Sequence, residues 1–124
     1  MKTFRDLKVW QKAHELTLAV YKTTSNFPSE EKYGLCSQLR RAAASVPTNV
    51  VEGYRRKGGK EFLRFLNIAE GSLEETKYHL ILSRDLGYLN LAEYVRLNGL
   101  CDEVGRMLRG LERSLSSAND KVPM

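Results

Sequence analysis

Apolar residues recur along this chain at intervals of three and four, and two-residue alternation of β-branched residues is absent. That spacing predicts helices almost throughout. Val9, Trp10, Ala13, Leu16, Thr17 and Val20 share one face of a first helix, with Arg5, Lys8, Lys12, Glu15 and Lys22 opposite. Asp6 reads as its N-cap. The stretch SNFPSEE breaks the pattern, with Pro28 near the start of the next helix and acids in its first turn. Leu35, Cys36, Leu39, Ala43, Val46 and Val50 line one side of a second helix, and Pro47 falls inside it. The period resumes at Val50 and Val51, which predicts a kink at Pro47 rather than an end. Gly53 and the pair Gly58–Gly59 are expected to terminate this helix.

A third helix is predicted from about Lys60 to Leu86, with Phe62, Phe65, Leu66, Ala69, Leu73, Thr76 and Leu80 as its buried stripe. Gly87 is its expected C-cap and Asn90 the next N-cap. The fourth helix repeats Leu97, Cys101, Val104, Leu108, Leu111 and Leu115. Four amphipathic helices on short loops predict an all-α, up-down-up-down antiparallel four-helix bundle. Residues 1–117 make one domain in this reading, and 118–124 a flexible polar tail. Ile68, Tyr78, Ile81 and Leu82 add more apolar surface around the third helix than one core can absorb, which predicts a subunit interface.

Charge adds a second pattern. The net charge is +5, but residues 1–60 hold 12 Lys and Arg against five Asp and Glu, whereas residues 61–124 hold eight against ten. A basic half points to a polyanionic partner. The densest cations are Arg40–Arg41 and Arg55, Arg56, Lys57 and Lys60, with Tyr54 beside the second group as a base-stacking candidate. No stretch of about 18 apolar residues suggests a membrane span. The charged N-terminus does not read as a signal peptide, and the two cysteines read as reduced core thiols, so a cytoplasmic setting is expected.

Catalytic chemistry finds little footing. Gly53 and Gly58 have the glycine spacing of a phosphate-binding loop, but Gly59 stands where Lys is required and no strand precedes it. His14 and His79 lack ligand-spaced partners, and Glu70, Glu74 and Glu75 lack the Glu-x-x-His pattern of di-metal bundles. No enzyme activity, metal or cofactor is expected. The basic residues can contact phosphates, or simply form a solvated face.

The stretch QLRRAAASVPTNVVEGYRR (38–56) resembles the signature of the four-helix-bundle proteins of the 23S rRNA-intervening-sequence family. FRDLKVWQKAHEL (4–16), FLNIAEGSLEETKYHLILSRDLGYL (65–89) and the leucine-rich last helix agree with it in order. The motif element is Pro47, Asn49, Glu52 and Gly53; Val50 and Val51 replace a more usual Ile-Ala. The resemblance implies a homopentamer without established enzymatic activity. A related branch, the accessory variability protein of diversity-generating retroelements, engages RNA and a reverse transcriptase. The function expected from this resemblance and the basic residues is RNA binding by a non-catalytic oligomer; the alternative is an adaptor for a nucleic-acid enzyme. Asn49 and Glu52 are expected to satisfy backbone groups freed at Pro47 and to hold the corner between the second and third helices.

Overall fold

The computed structural model describes residues 3–120, and they form four long helices: α1 (Lys8–Thr24), α2 (Leu35–Tyr54), α3 (Gly59–Asp85) and α4 (Leu91–Asp120). The last four residues of the expected tail lie outside the described residues, and α4 itself continues to Asp120. Each helix packs on its sequence neighbours and α4 closes onto α1, the cyclic order of a four-helix bundle. The core is a single cluster running through all four helices, with Leu16, Val20, Leu39, Val46, Val50, Leu66, Leu80, Leu97, Val104 and Leu108 fully enclosed. Phe27 and Leu89, in the α1–α2 and α3–α4 connections, cover one end of it, where the Phe27 ring meets Tyr88 at 5.4 Å.

The helix ends show how local chemistry places these elements. Asp6 does not cap α1. It closes a capping box with Thr3 around a short 3₁₀ turn (Phe4–Asp6), and Leu7 then leads into α1 without a side-chain cap. Gly34 likewise gives α2 no capping side chain. Glu31 supplies the acceptor from the preceding 3₁₀ turn: Oε1 takes the Leu35 N–H at 3.2 Å, and Oε2 takes the Tyr88 hydroxyl at 2.9 Å. At the far end of α3 the Gly87 N–H donates to Arg84 O and the Tyr88 N–H to Ser83 O, with Gly87 at φ 83°. That double bond is a Schellman closure, for which a glycine in the left-handed region is suited. Asn90 and Glu93 then exchange hydrogen bonds at the start of α4.

Pro47 sits within α2 and is buried, and the helix carries through it. A proline has no N–H, so the carbonyl four residues earlier, that of Ala43, loses its helical donor. The expected partner for such a group was Asn49 or Glu52; the structure gives another. The Thr17 hydroxyl of α1 lies 3.1 Å from Ala43 O and 2.9 Å from Ala13 O of its own helix. Its single hydrogen is shared between the two, so α1 satisfies a main-chain group of α2 inside the core. Asn49 does something else. Its Nδ2 donates to Ser45 O at 2.8 Å and to Ser45 Oγ at 3.0 Å, and Ser45 Oγ meets Ser72 Oγ of α3 at 2.8 Å. Ala43 therefore meets α1 through its carbonyl, and Ser45, held by Asn49, meets α3 through its hydroxyl.

Gly53 does not end α2. It is a buried residue of the last turn, and a Cβ there would fall 2.8 Å from Phe62 Cδ1 and 3.0 Å from Phe65 Cβ of α3. Its lack of a side chain lets the two helices close at the corner. Arg55 is the C-cap, and the turn is made by Gly58 at φ 125°, conformational territory for glycine.

At the α3–α4 seam Glu112 lies against Glu70, and burial followed by that neighbouring carboxylate pushes Glu112 up to about 7. Arg109 reaches Glu70 at 3.6 Å and opposes the shift. A folded-state value above the ordinary carboxylate range means that the folded protein holds this proton more tightly than the unfolded chain. This contribution to stability is full below the ordinary carboxylate value and is lost as pH rises toward 7. Glu112→Gln should accordingly raise the unfolding temperature relative to the native chain at pH 8 and lose that advantage at pH 4, as measured by circular dichroism. The α1–α2 bond has its own test. Thr17→Val should destabilise the fold by about 1–3 kcal/mol by leaving Ala43 O without a donor, whereas Thr17→Ser should cost less. In a Pro47→Ala background, where residue 47 regains its N–H, the Thr17→Val loss measured in urea should shrink by at least about 0.5 kcal/mol.

Candidate nucleic-acid interface

The expected basic residues fall into two groups at the two ends of α2. At its C-terminal end Glu52 lies between Arg55 and Arg56, 3.9 Å and 3.6 Å from their guanidinium nitrogens. Spacings of three and four residues on one helix bring these side chains together. Arg56 also lies over the Phe65 ring, with its guanidinium carbon 4.9 Å from the centroid, and Arg64 covers the same ring at 4.5 Å. Arg55 and Arg56 are exposed, so these pairings orient them without withdrawing them from solvent. Lys57 and Lys60 are exposed and have no carboxylate partner among the described residues.

Tyr54 differs from its expected role. It is half-buried and packs against the core, its ring meeting Phe62 edge to face at 6.3 Å. That packing makes it a wall of the helix corner rather than a free stacking surface. The first signal for this was available in the chain: Tyr54 lies four residues after Val50 and so falls on the inward face.

The other group divides as well. Arg40 turns back onto α1: Nε donates to Thr24 Oγ1 at 2.7 Å and Nη2 to Tyr21 O at 3.2 Å. Its guanidinium also lies 4.7 Å from the Tyr21 ring centroid. Arg40 thus adds a further donor to Tyr21 O, which also takes the Ser25 N–H, in the C-terminal turn of α1, where a cation is favoured. Arg41 is exposed and without a carboxylate partner among the described residues. Together with Lys32, Tyr21, Tyr33, Ser37 and Thr48 these two arginines border an open groove of about 670 Å³ along the outer side of α2. Tyr21, Lys32 and Tyr33 carried no expectation from the sequence. Their proximity to Arg41 follows from how α1 and the connection to α2 fold back, which no local spacing encodes.

One exposed arginine from each group lies in a similar direction around α2. Arg41 and Arg55 are fourteen positions apart, which at 1.5 Å per residue spans about 21 Å and returns to within about 40° of the same direction. Between Lys32 and Lys60 the chain carries seven cations and one carboxylate, Glu52. On α4 acids and bases alternate in nearly equal number: Arg96, Arg106, Arg109 and Arg113 against Glu93, Asp102, Glu103, Glu112 and Asp120. The excess positive charge is therefore concentrated between Lys32 and Lys60, with Glu30 and Glu31 before it and Glu61 after it.

Of the apolar residues expected at an interface, Ile68, Tyr78 and Ile81 are exposed on α3. Leu82 is half-buried and packs against the core instead. Of the remaining reactive groups, both cysteines and His79 are buried and His14 is exposed. Burial pushes the Cys101 thiol up to about 12, and it also raises Cys36. Both favour the uncharged thiol and so oppose nucleophilic chemistry. His79 is buried, and His14 stacks on Trp10 with ring centroids 5.0 Å apart. Among the described residues no group of three or more His, Cys, Asp or Glu side chains could hold a metal, and no helix is long and apolar enough to cross a membrane.

Comparison with known proteins agrees with this architecture. The chain is similar to a crystal structure from Bacteroides thetaiotaomicron, described as a protein of unknown function from the S23 ribosomal protein family. The TM-score is 0.76 at 24% identity, covering 84% of this chain and 97% of that one, a likeness of fold. No curated protein matches. The family described as 23S rRNA-intervening sequence protein matches residues 5–110, from the 3₁₀ turn before α1 to well within α4. That span takes in α1, α2, α3, the first two thirds of α4 and the whole Pro47–Gly53 element, and the chain belongs to the 23S rRNA-intervening sequence protein family.

Proposed function

We propose that this protein is a non-catalytic RNA-binding bundle that holds the phosphate backbone along the outer face of α2 and the turn into α3. The observation that carries this reading is the charge of that surface: six exposed cations from Lys32 to Lys60, with Glu52 the only acid in that stretch. Cations spaced along one face attract a polyanion and contact phosphates whatever the base sequence. Nothing in the enclosed thiols, the separated histidines or the α3–α4 carboxylates assembles a nucleophile with its base. The 23S rRNA-intervening sequence family gives RNA as the polyanion of first choice. Exposed Ile68, Tyr78 and Ile81 support self-association, for which the pentamer implied by the resemblance is the proposed form. An assembled ring would present the α2 surface several times to one RNA, multiplying its hold.

Replacing Arg41, Lys57 and Lys60 together by Ala tests the binding surface. These exposed changes should alter folding stability by less than about 0.5 kcal/mol. With about 0.7 lost from the log–log salt slope for each single-strand phosphate contact, the slope should fall by about 2 if all three make one. Arg96→Ala with Arg106→Ala, on the near-neutral α4, should change it less. Equal salt dependence in all three proteins would reject the α2 surface and favour the adaptor reading. Light scattering on the same samples would reject self-association if it returned the 14.2 kDa mass of one chain.

A further inference from the structure

We propose that the groove beside Arg41 seats unpaired bases, so that the RNA held along α2 is single-stranded there; this rests on the RNA-binding reading above. Tyr33 is 87% exposed, an unusual position for a large ring. It stands in the turn before α2, with Lys32 Nζ 5.5 Å from its ring centroid. Tyr21, at 45% exposed, borders the same groove from α1. Arg40 holds the Tyr21 ring in place through the cation–π contact, and is itself fixed by Thr24 and the Tyr21 carbonyl. One stacking surface is thereby ordered before any ligand arrives, which reduces the ordering cost of binding.

The polar part of the groove is of one sign. Lys32, Arg40 and Arg41 line it with Ser37, Ser45 and Thr48, and no carboxylate does. Two tyrosine rings among three cations and three hydroxyls match the chemistry of a nucleotide: a π face for the base and an anionic linkage beside it. An apolar partner helix seated here would leave three cations facing it without a compensating charge, which disfavours that occupant. The composition also selects the form of RNA. In a duplex the base faces are stacked on one another and hidden from side chains, whereas an unpaired segment can splay a base onto an aromatic ring. The cations continue along α2 to Lys57 and Lys60, where a duplex or single strand can be held by its phosphates alone.

Fluorescence anisotropy with a labelled oligouridine of about fifteen nucleotides and a labelled RNA hairpin separates this groove from the general surface. Tyr33→Ala should weaken oligouridine binding about 5- to 100-fold, the loss of one base–ring stack, and leave the hairpin within about twofold. Tyr33→Phe, which retains the ring, should restore the oligouridine affinity. Lys57→Ala with Lys60→Ala should weaken both RNAs. If that double variant loses affinity while Tyr33→Ala binds both RNAs as the native chain does, the groove inference is overturned and the RNA-binding reading stands. Native protein that binds neither RNA overturns both. A change in assembled mass in Tyr33→Ala, without a selective loss of oligouridine, would show the ring to be a contact between copies and would also overturn the inference.

Discussion

A carbonyl stranded inside the core constrains the rest of this bundle. Pro47 removes the N–H that Ala43 O would accept, and an unsatisfied buried carbonyl costs about as much as several favourable surface contacts together contribute. The Thr17 hydroxyl reaches it from α1 at 3.1 Å. Hydrogen-bond geometry is steep in distance and angle, so this contact restricts both the separation and the register of α1 on α2. Apolar burial alone would leave that register freer, because packing of methyl and methylene groups is non-directional. Near the C-terminus of α1 the same helix pair is joined again, by Arg40 to Thr24 and Tyr21.

Along α2 the inner and outer faces have separate duties. Inside, Leu39, Ala43, Val46 and Val50 fill the core, and Gly53 lets α3 approach at the corner. Outside, Arg41 and the turn after Tyr54 project cations with few carboxylates to oppose them. The corner connects the two faces. With Phe62 and Phe65 packed against Gly53, the start of α3 is fixed, and Phe65 in turn offers its ring to Arg56 and Arg64. Arg56 and Arg64 therefore rest on an apolar floor that restricts their side-chain freedom.

Much of the fold was legible because helical burial is periodic. The inward positions of α1 from Val9 to Val20 and those of α4 from Leu97 to Leu108 follow directly from three-four spacing, and the third helix was placed within a residue at each end. Asn90 and Gly87 were readable because a cap depends on a few adjacent residues. Contacts between distant residues were not. Thr17 counted only as one more position on an apolar face, and its bond to Ala43 depends on how two helices dock. Arg40 and Arg41 are neighbours with the same charge, yet one bonds α1 and the other faces solvent. Gly53 resembled a helix stop because its steric role lies in α3, nine residues further on at Phe62.

The central claim is that RNA lies along α2, and the most direct measurement of it is ultraviolet crosslinking to oligouridine followed by peptide mass spectrometry. The account predicts crosslinks concentrated in two peptides, one containing Lys32 and Tyr33 and one containing Arg55 to Lys60, both suppressed by high salt because the attraction is ionic. Crosslinks confined to α4, or an unchanged pattern at high salt, would contradict it.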